Sequence, residues 1–141
     1  MDAKRFVLGT VVGGLVLFGL GYLIWEVLFG GFFAANAGPA TGVAREPWVL
    51  WAVIAGNLSM GALITVVLGW ARASSVGAAV RVAATAGFLI WLGVDLTLYG
   101  VWNVSNLTAT IVDPFLELVH FGITGGVIAA VTGKGQAGTA A

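Results

Sequence analysis

Along the chain, four long apolar stretches alternate with short segments rich in polar residues, glycine or proline. A helix rising about 1.5 Å per residue needs about 20 mostly apolar residues to cross a hydrocarbon core about 30 Å thick. The pattern predicts spans over 6–26 (extending towards 33), 48–70, 82–102 and 114–132. Between them lie 34–46, with Asn36-Ala37-Gly38-Pro39, then 71–81, with Ser74-Ser75 and Gly77, and the polar stretch 103–113. The expected fold is a single all-α membrane domain, a four-helix antiparallel bundle. The fourth stretch is the shortest, and an odd span count would require it to lie in the interface.

Composition agrees with that pattern. Of 141 residues, 60% are hydrophobic and 9% charged, against about 25% charged in an ordinary soluble domain. A soluble fold of this size would have too few polar side chains to cover its surface. Six basic and six acidic residues cancel, which leaves no basic field for a polyanion and excludes nucleic acid as a partner. The absence of cysteine removes disulfides, thiolate metal sites and thiol catalysis. The 22 glycines suit packed membrane helices better than soluble ones.

Basic residues set the expected orientation. With both termini cytoplasmic, Lys4, Arg5, Arg72, Arg81 and Lys134 are inside and Arg45 is outside. Trp25, Trp48, Trp51 and Trp102 then gather at the outer interface and Trp70 at the inner one. The run from Lys4-Arg5 to Ala35-Asn36-Ala37 imitates a cleaved signal peptide. Its apolar part, however, exceeds the usual core of about 7–15 residues and contains Glu26, so it reads as a true span. The Asn103-Val104-Ser105 and Asn106-Leu107-Thr108 triplets match glycosylation acceptors but are too common by chance to carry weight.

The two halves of the chain resemble each other. Leu23-Ile24-Trp25 returns as Leu89-Ile90-Trp91, and Glu46-Pro47-Trp48 returns as Asp113-Pro114-Phe115, each read as the opening of a helix. Gly61, Ile64, Val67 and Gly69 return as Gly125, Ile128, Val131 and Gly133. These echoes predict two tandem related hairpins in parallel orientation, against coincidence in an alphabet of small apolar residues. Small residues four apart, such as Gly9 and Gly13, Gly61, Thr65 and Gly69, Ala83 and Gly87, and Gly122, Gly126 and Ala130, let backbones approach closely. They serve a tight bundle or a homo-oligomer equally well.

Glu26, Asp95, Glu117, His120 and Asn57 lie within or at the edge of the spans, all towards the outer side. At 1.5 Å per residue, Asp95 is roughly 10 Å and Asn57 roughly 14 Å below the outer boundary, whereas Glu117 and His120 fall in the first two turns of the fourth span. Asp113, Glu117, His120 and Thr124 form one helical stripe, and Trp91, Asp95, Tyr99 and Trp102 form another. Lipid-facing carboxylates are costly, so these stripes should face each other, with His120 pairing with Glu117. The expected object is a polar pocket of Asp95, Asn57, Tyr99, Glu117, His120 and Glu26, with Asp95 the most constrained acid. A structural hydrogen-bond network and a ligand or ion pocket are both open.

Metal and catalytic readings have less behind them. Glu117-Leu118-Val119-His120 is one Glu-x-x-His pair, whereas a di-iron bundle needs two with further glutamates. A mononuclear site from Glu117, His120, Asp95 and Glu26 is geometrically open. Haem would need Met60 beside the single histidine, and Met60 is expected to lie much deeper. Ser59 and Ser105 have no adjacent base and no nucleophile elbow, so no enzyme and no cofactor is predicted.

Phe32-Phe33-Ala34-Ala35-Asn36-Ala37-Gly38, Gly56-Asn57-Leu58, Asp95-Leu96-Thr97-Leu98-Tyr99-Gly100 through Asn103, Asn106-Leu107-Thr108 and Val112-Asp113-Pro114 resemble small four-span bacterial membrane proteins catalogued as a domain of unknown function. The resemblance implies a bacterial inner (plasma) membrane protein and assigns no activity. The expected role is a binding, accessory or structural component whose ligand the sequence does not name. The alternative is a proton- or ion-coupled transporter or channel subunit using Asp95, and the third is a metal-binding membrane protein.

Overall fold

The computed structural model describes residues 2–133, and Lys134, used above for orientation, lies outside them. Helix α1 spans Ala3–Gly21 and is capped by Asp2, whose carboxylate accepts the Arg5 N–H at 2.8 Å. It continues without a break into a π-helical segment, Tyr22–Leu28, closed by the Phe29 N–H on the Ile24 carbonyl at 2.8 Å. A short α2 follows at Gly30–Ala35, then α3 at Leu50–Trp70, α4 at Val76–Val101 and α5 at Leu107–Gly133. Apart from the connecting loops, the described residues are helical, without strands. Ala3–Leu28, α3, α4 and α5 are each long and apolar enough to cross a membrane.

Two predicted boundaries need correction. The third span begins at Val76, because Ser75 accepts the Ala78 N–H at 3.2 Å as an N-cap. Arg81 therefore lies inside a helix. The fourth begins at Leu107, because Asn106 Oδ1 accepts the Ala109 N–H at 3.0 Å in the same way. Pro114 thus sits within α5 rather than opening it, while Pro47 lies in the loop before α3. Apolarity marks where hydrocarbon begins. Caps mark where the helix begins, and here they differ by more than a turn.

The helices meet antiparallel through small residues. On the α1–α3 seam, Gly9 faces Thr65, Gly13 faces Gly61 and Gly14 faces Leu58. A methyl group on Gly61 would come within 2.6 Å of both the Gly14 nitrogen and the Thr10 carbonyl oxygen, so only glycine permits this approach. On the α4–α5 seam, Gly87 abuts Phe121, Gly122 abuts Ala84, and Gly125 abuts Ala79 and Ala83. In lipid, dispersion across such close contacts replaces the hydrophobic drive. Helix α1 also packs on α5, whereas α3 touches α4 and α5 only slightly. The core is Leu17, Ile64, Leu68, Ala79, Ala83, Phe121 and Ile128.

The loops at the end opposite Arg5 and Arg72 are tied together. The Gly38 N–H donates to the Val104 carbonyl at 3.0 Å, Ala40 to Asn103 at 3.1 Å, and Asn106 to Asn36 at 3.0 Å. The Asn106 side-chain amide also donates to Asn36 Oδ1 at 2.9 Å. Asn106 is therefore a cap and a loop tie, which accounts for an asparagine at that position.

A polar cluster and cavity at one end of the helices

Beyond the glycine seams, α1 and α3 no longer touch so closely. Between the π-helical segment, α3, α4 and α5 lies a cavity of about 430 Å³. Its walls are mostly apolar and aromatic, with Asn57, Glu26, Glu117 and His120 as its ionisable or amide side chains.

Glu117 and His120 sit together as their three-residue spacing predicts. His120 Nδ1 lies 2.9 Å from Glu117 Oε2, and Nε2 lies 3.0 Å from the Leu17 carbonyl oxygen. A carbonyl only accepts, so Nε2 carries a hydrogen. One further proton must lie between Nδ1 and Oε2, on either atom. Imidazolium with carboxylate, or imidazole with carboxylic acid, both leave the pair neutral overall, which suits an intramembrane site. The pair is buried within the fold. Glu117 is the eleventh residue of α5 and is 5% exposed, and His120 is 6% exposed. Because α5 starts at Leu107, Glu117 lies about 15 Å along the helix at 1.5 Å per residue rather than in its first turn.

Asp95 has a different neighbour from those predicted. Among the described residues it makes no hydrogen bond with Asn57 or Tyr99. Its carboxyl is within hydrogen-bonding reach of the Asp113 carboxyl, and among the described residues no donor reaches its buried Oδ2. Asp113 Oδ1 also accepts the Trp25 indole N–H at 2.6 Å, and the Trp25 ring stands edge-on to His120 with centroids 5.1 Å apart. Trp25 thus links the Asp95–Asp113 pair to the Glu117–His120 pair.

The remaining candidates divide. Asn57 lines the cavity and donates to the Val53 carbonyl of its own helix at 2.9 Å. Glu26 is exposed at the cavity rim. Tyr99 is 44% exposed and takes no part in the cluster's hydrogen bonds. Met60 lines the same cavity as His120 rather than lying far below it. Among the described residues no three of His, Asp and Glu converge to hold a metal ion. Both imidazole nitrogens are already committed within the fold.

Asp113 and Trp25 belong to the cluster but not to the predicted pocket. Asp113 stood on the Glu117–His120 stripe, four residues before Glu117, and that spacing was the available signal. Trp25 carries no such signal, because its place at a span end resembles that of any interfacial tryptophan. No protein-family model, no curated protein and no solved structure matches the chain, so the site's chemistry is read from its own atoms.

Proposed function

We propose that the chain is a multi-pass protein of the bacterial inner (plasma) membrane with both termini cytoplasmic, and that its cavity binds a small molecule in the outer half of the bilayer. The reading includes the antiparallel four-helix bundle, membership of the small four-span bacterial proteins its motifs resemble, and no catalysis. The carrying observation is the cavity itself. It has a size typical of small-molecule sites, which run to about 300–1,000 Å³, and apolar walls interrupted by a few convergent polar groups. A purely structural hydrogen-bond network would have no need of that empty volume beside it.

A transport role through Asp95 has less support. On the Arg5 and Arg72 side of the cavity, Leu17, Ile64, Phe121 and Ile128 form a buried apolar block, and the buried hydroxyls within it, Thr65 and Thr124, donate to carbonyls of their own helices; among the described residues no ionisable side chain continues the cluster through it. Duplication of the hairpin gains one geometric argument. Gly61 packs on the backbone at Thr10–Gly13, and Gly125 packs on that at Ala79, which are equivalent positions in the sequence repeat. The acid-proline-aromatic echo loses its force, since Pro47 is outside a helix and Pro114 inside one.

The cysteine-free chain permits a direct test. A single cysteine replacing Ala52, which lines the cavity, should react with a membrane-impermeant maleimide added from outside intact cells. A cysteine replacing Leu68, which is buried near the other end, should not react. Labelling of Ala52→Cys only from the cytoplasmic side would reverse the orientation, and protection from both sides would remove the open cavity.

A further inference from the structure

Hydrogen-bond capacity in the cavity is unevenly distributed. Both imidazole nitrogens of His120 are held by Glu117 and Leu17, and the Trp25 indole N–H is held by Asp113. The Trp91 indole N–H has no partner among the described residues, but it is buried behind the surface of the wall rather than presented on it. What the fold leaves uncommitted is chiefly acceptor: Glu117 Oε1, Asn57 Oδ1 and the Glu26 carboxylate. The donors that remain are the neutral Asn57 amide and, at the mouth, Tyr22 and Trp48.

The charge is uneven as well. Among the described residues no lysine or arginine lines this cavity; Arg5 and Arg72 line a separate one at the far end. Arg45 is on the loop before Trp48, beside Glu46, and is not part of the wall. The rest of the wall is aromatic, with Phe18, Tyr22, Trp25, Trp48, Trp91 and Phe121. Aromatic faces attract cations through their quadrupole, more strongly where water is excluded. A wall of acceptors, one free carboxylate and aromatic faces repels an anion and complements an onium group. An apolar body would fill the remaining volume.

We propose that the cavity selects a lipophilic organic cation, an ammonium or similar onium group on a compact apolar body, over neutral or anionic molecules of the same shape. This rests on the reading of the cavity as a binding site. It can be tested with benzyltrimethylammonium, its neutral carbon isostere neopentylbenzene, and the anion 4-phenylbutyrate. Each is titrated against the full chain in phosphatidylcholine nanodiscs, with tryptophan fluorescence as the readout and protein-free nanodiscs as the blank. The cation should saturate with a Kd at least roughly tenfold below that of the isostere, and the anion should not saturate. Glu26→Gln, at an exposed position that the fold does not depend on, should weaken the cation by roughly threefold to fivefold and leave the isostere unchanged. Equal affinity for cation and isostere would overturn the selectivity while keeping the binding site. An unchanged cation-to-isostere ratio in both Glu26→Gln and Glu117→Gln would overturn the assignment of the carboxylates. Saturable binding of none of the three would overturn the binding-site reading itself.

Discussion

At Gly13 and Gly61, α1 and α3 lie so close that a methyl group on Gly61 would strike backbone on the opposite helix. Farther along the same two helices, Gly21 and Gly56 border a cavity of about 430 Å³. Glycine is present in both regions and does opposite things. In the seam it removes a side chain so that backbones touch. At Gly56 a Cβ would meet nothing within 4 Å, so the glycine there leaves room. The spacers are large: Trp25, Trp91 and Phe121 hold the walls of the cavity. The wider π-helical turn at Tyr22–Leu28 borders the cavity through Tyr22, Trp25 and Glu26; such turns are frequent at functional sites. Composition alone does not distinguish contact from vacancy. Position on the partner helix does.

The largest way to break this contrast is Gly61→Leu. Overpacking a seam against backbone rather than a flexible side chain should cost about 3 kcal/mol or more, read as loss of folded protein in reversible unfolding from detergent micelles. A variant as stable as the parent would mean that α1 and α3 do not meet at Gly61. The cluster should respond next. His120→Leu leaves the buried Glu117 without its partner and removes the cross-helix bond to the Leu17 carbonyl, at a cost of about 2–3 kcal/mol. Because both losses stem from one pair, the double variant with Glu117→Leu should cost less than the sum of the two single ones. Strict additivity would mean that the two side chains are not coupled. The smallest effect belongs to Gly56→Ala, within about 0.5 kcal/mol, since the methyl enters open space. A penalty comparable to that of Gly61→Leu would mean that the cavity is closed.

Much of this contrast is legible in sequence, though unevenly. Small residues four apart announce the seams, and Gly9, Gly13, Gly61, Ala83, Gly87, Gly122 and Gly126 all lie on them. The Glu117–His120 pair follows from helical spacing within one element. What spacing does not supply is the angular position of one helix relative to another. Asp95 was therefore placed with Asn57 and Tyr99, whereas the fold turns it towards Asp113. The start of α5 is hidden from the sequence for another reason. Asn106 caps α5 well before the apolar stretch begins, and Pro114, which lacks the N–H for the Thr110 carbonyl, is carried inside the helix. A proline seven residues into a helix looks in sequence like a proline that starts one.

The hydrogen bonds joining Asn36, Gly38 and Ala40 to Asn103, Val104 and Asn106 also bear on how the molecule can move. They act as a yoke across the tops of the first and last long helices, reinforced below by Trp25 on Asp113. With those two helices clasped at that end, they cannot part to widen the chamber between them. Helix α3 is held mainly along its seam with α1 and hardly touches α4 or α5. It is the one wall hung like a door, with its tightest point of contact at Gly61 and its free edge facing lipid between α3 and α4. That edge is the least tied part of the cavity wall.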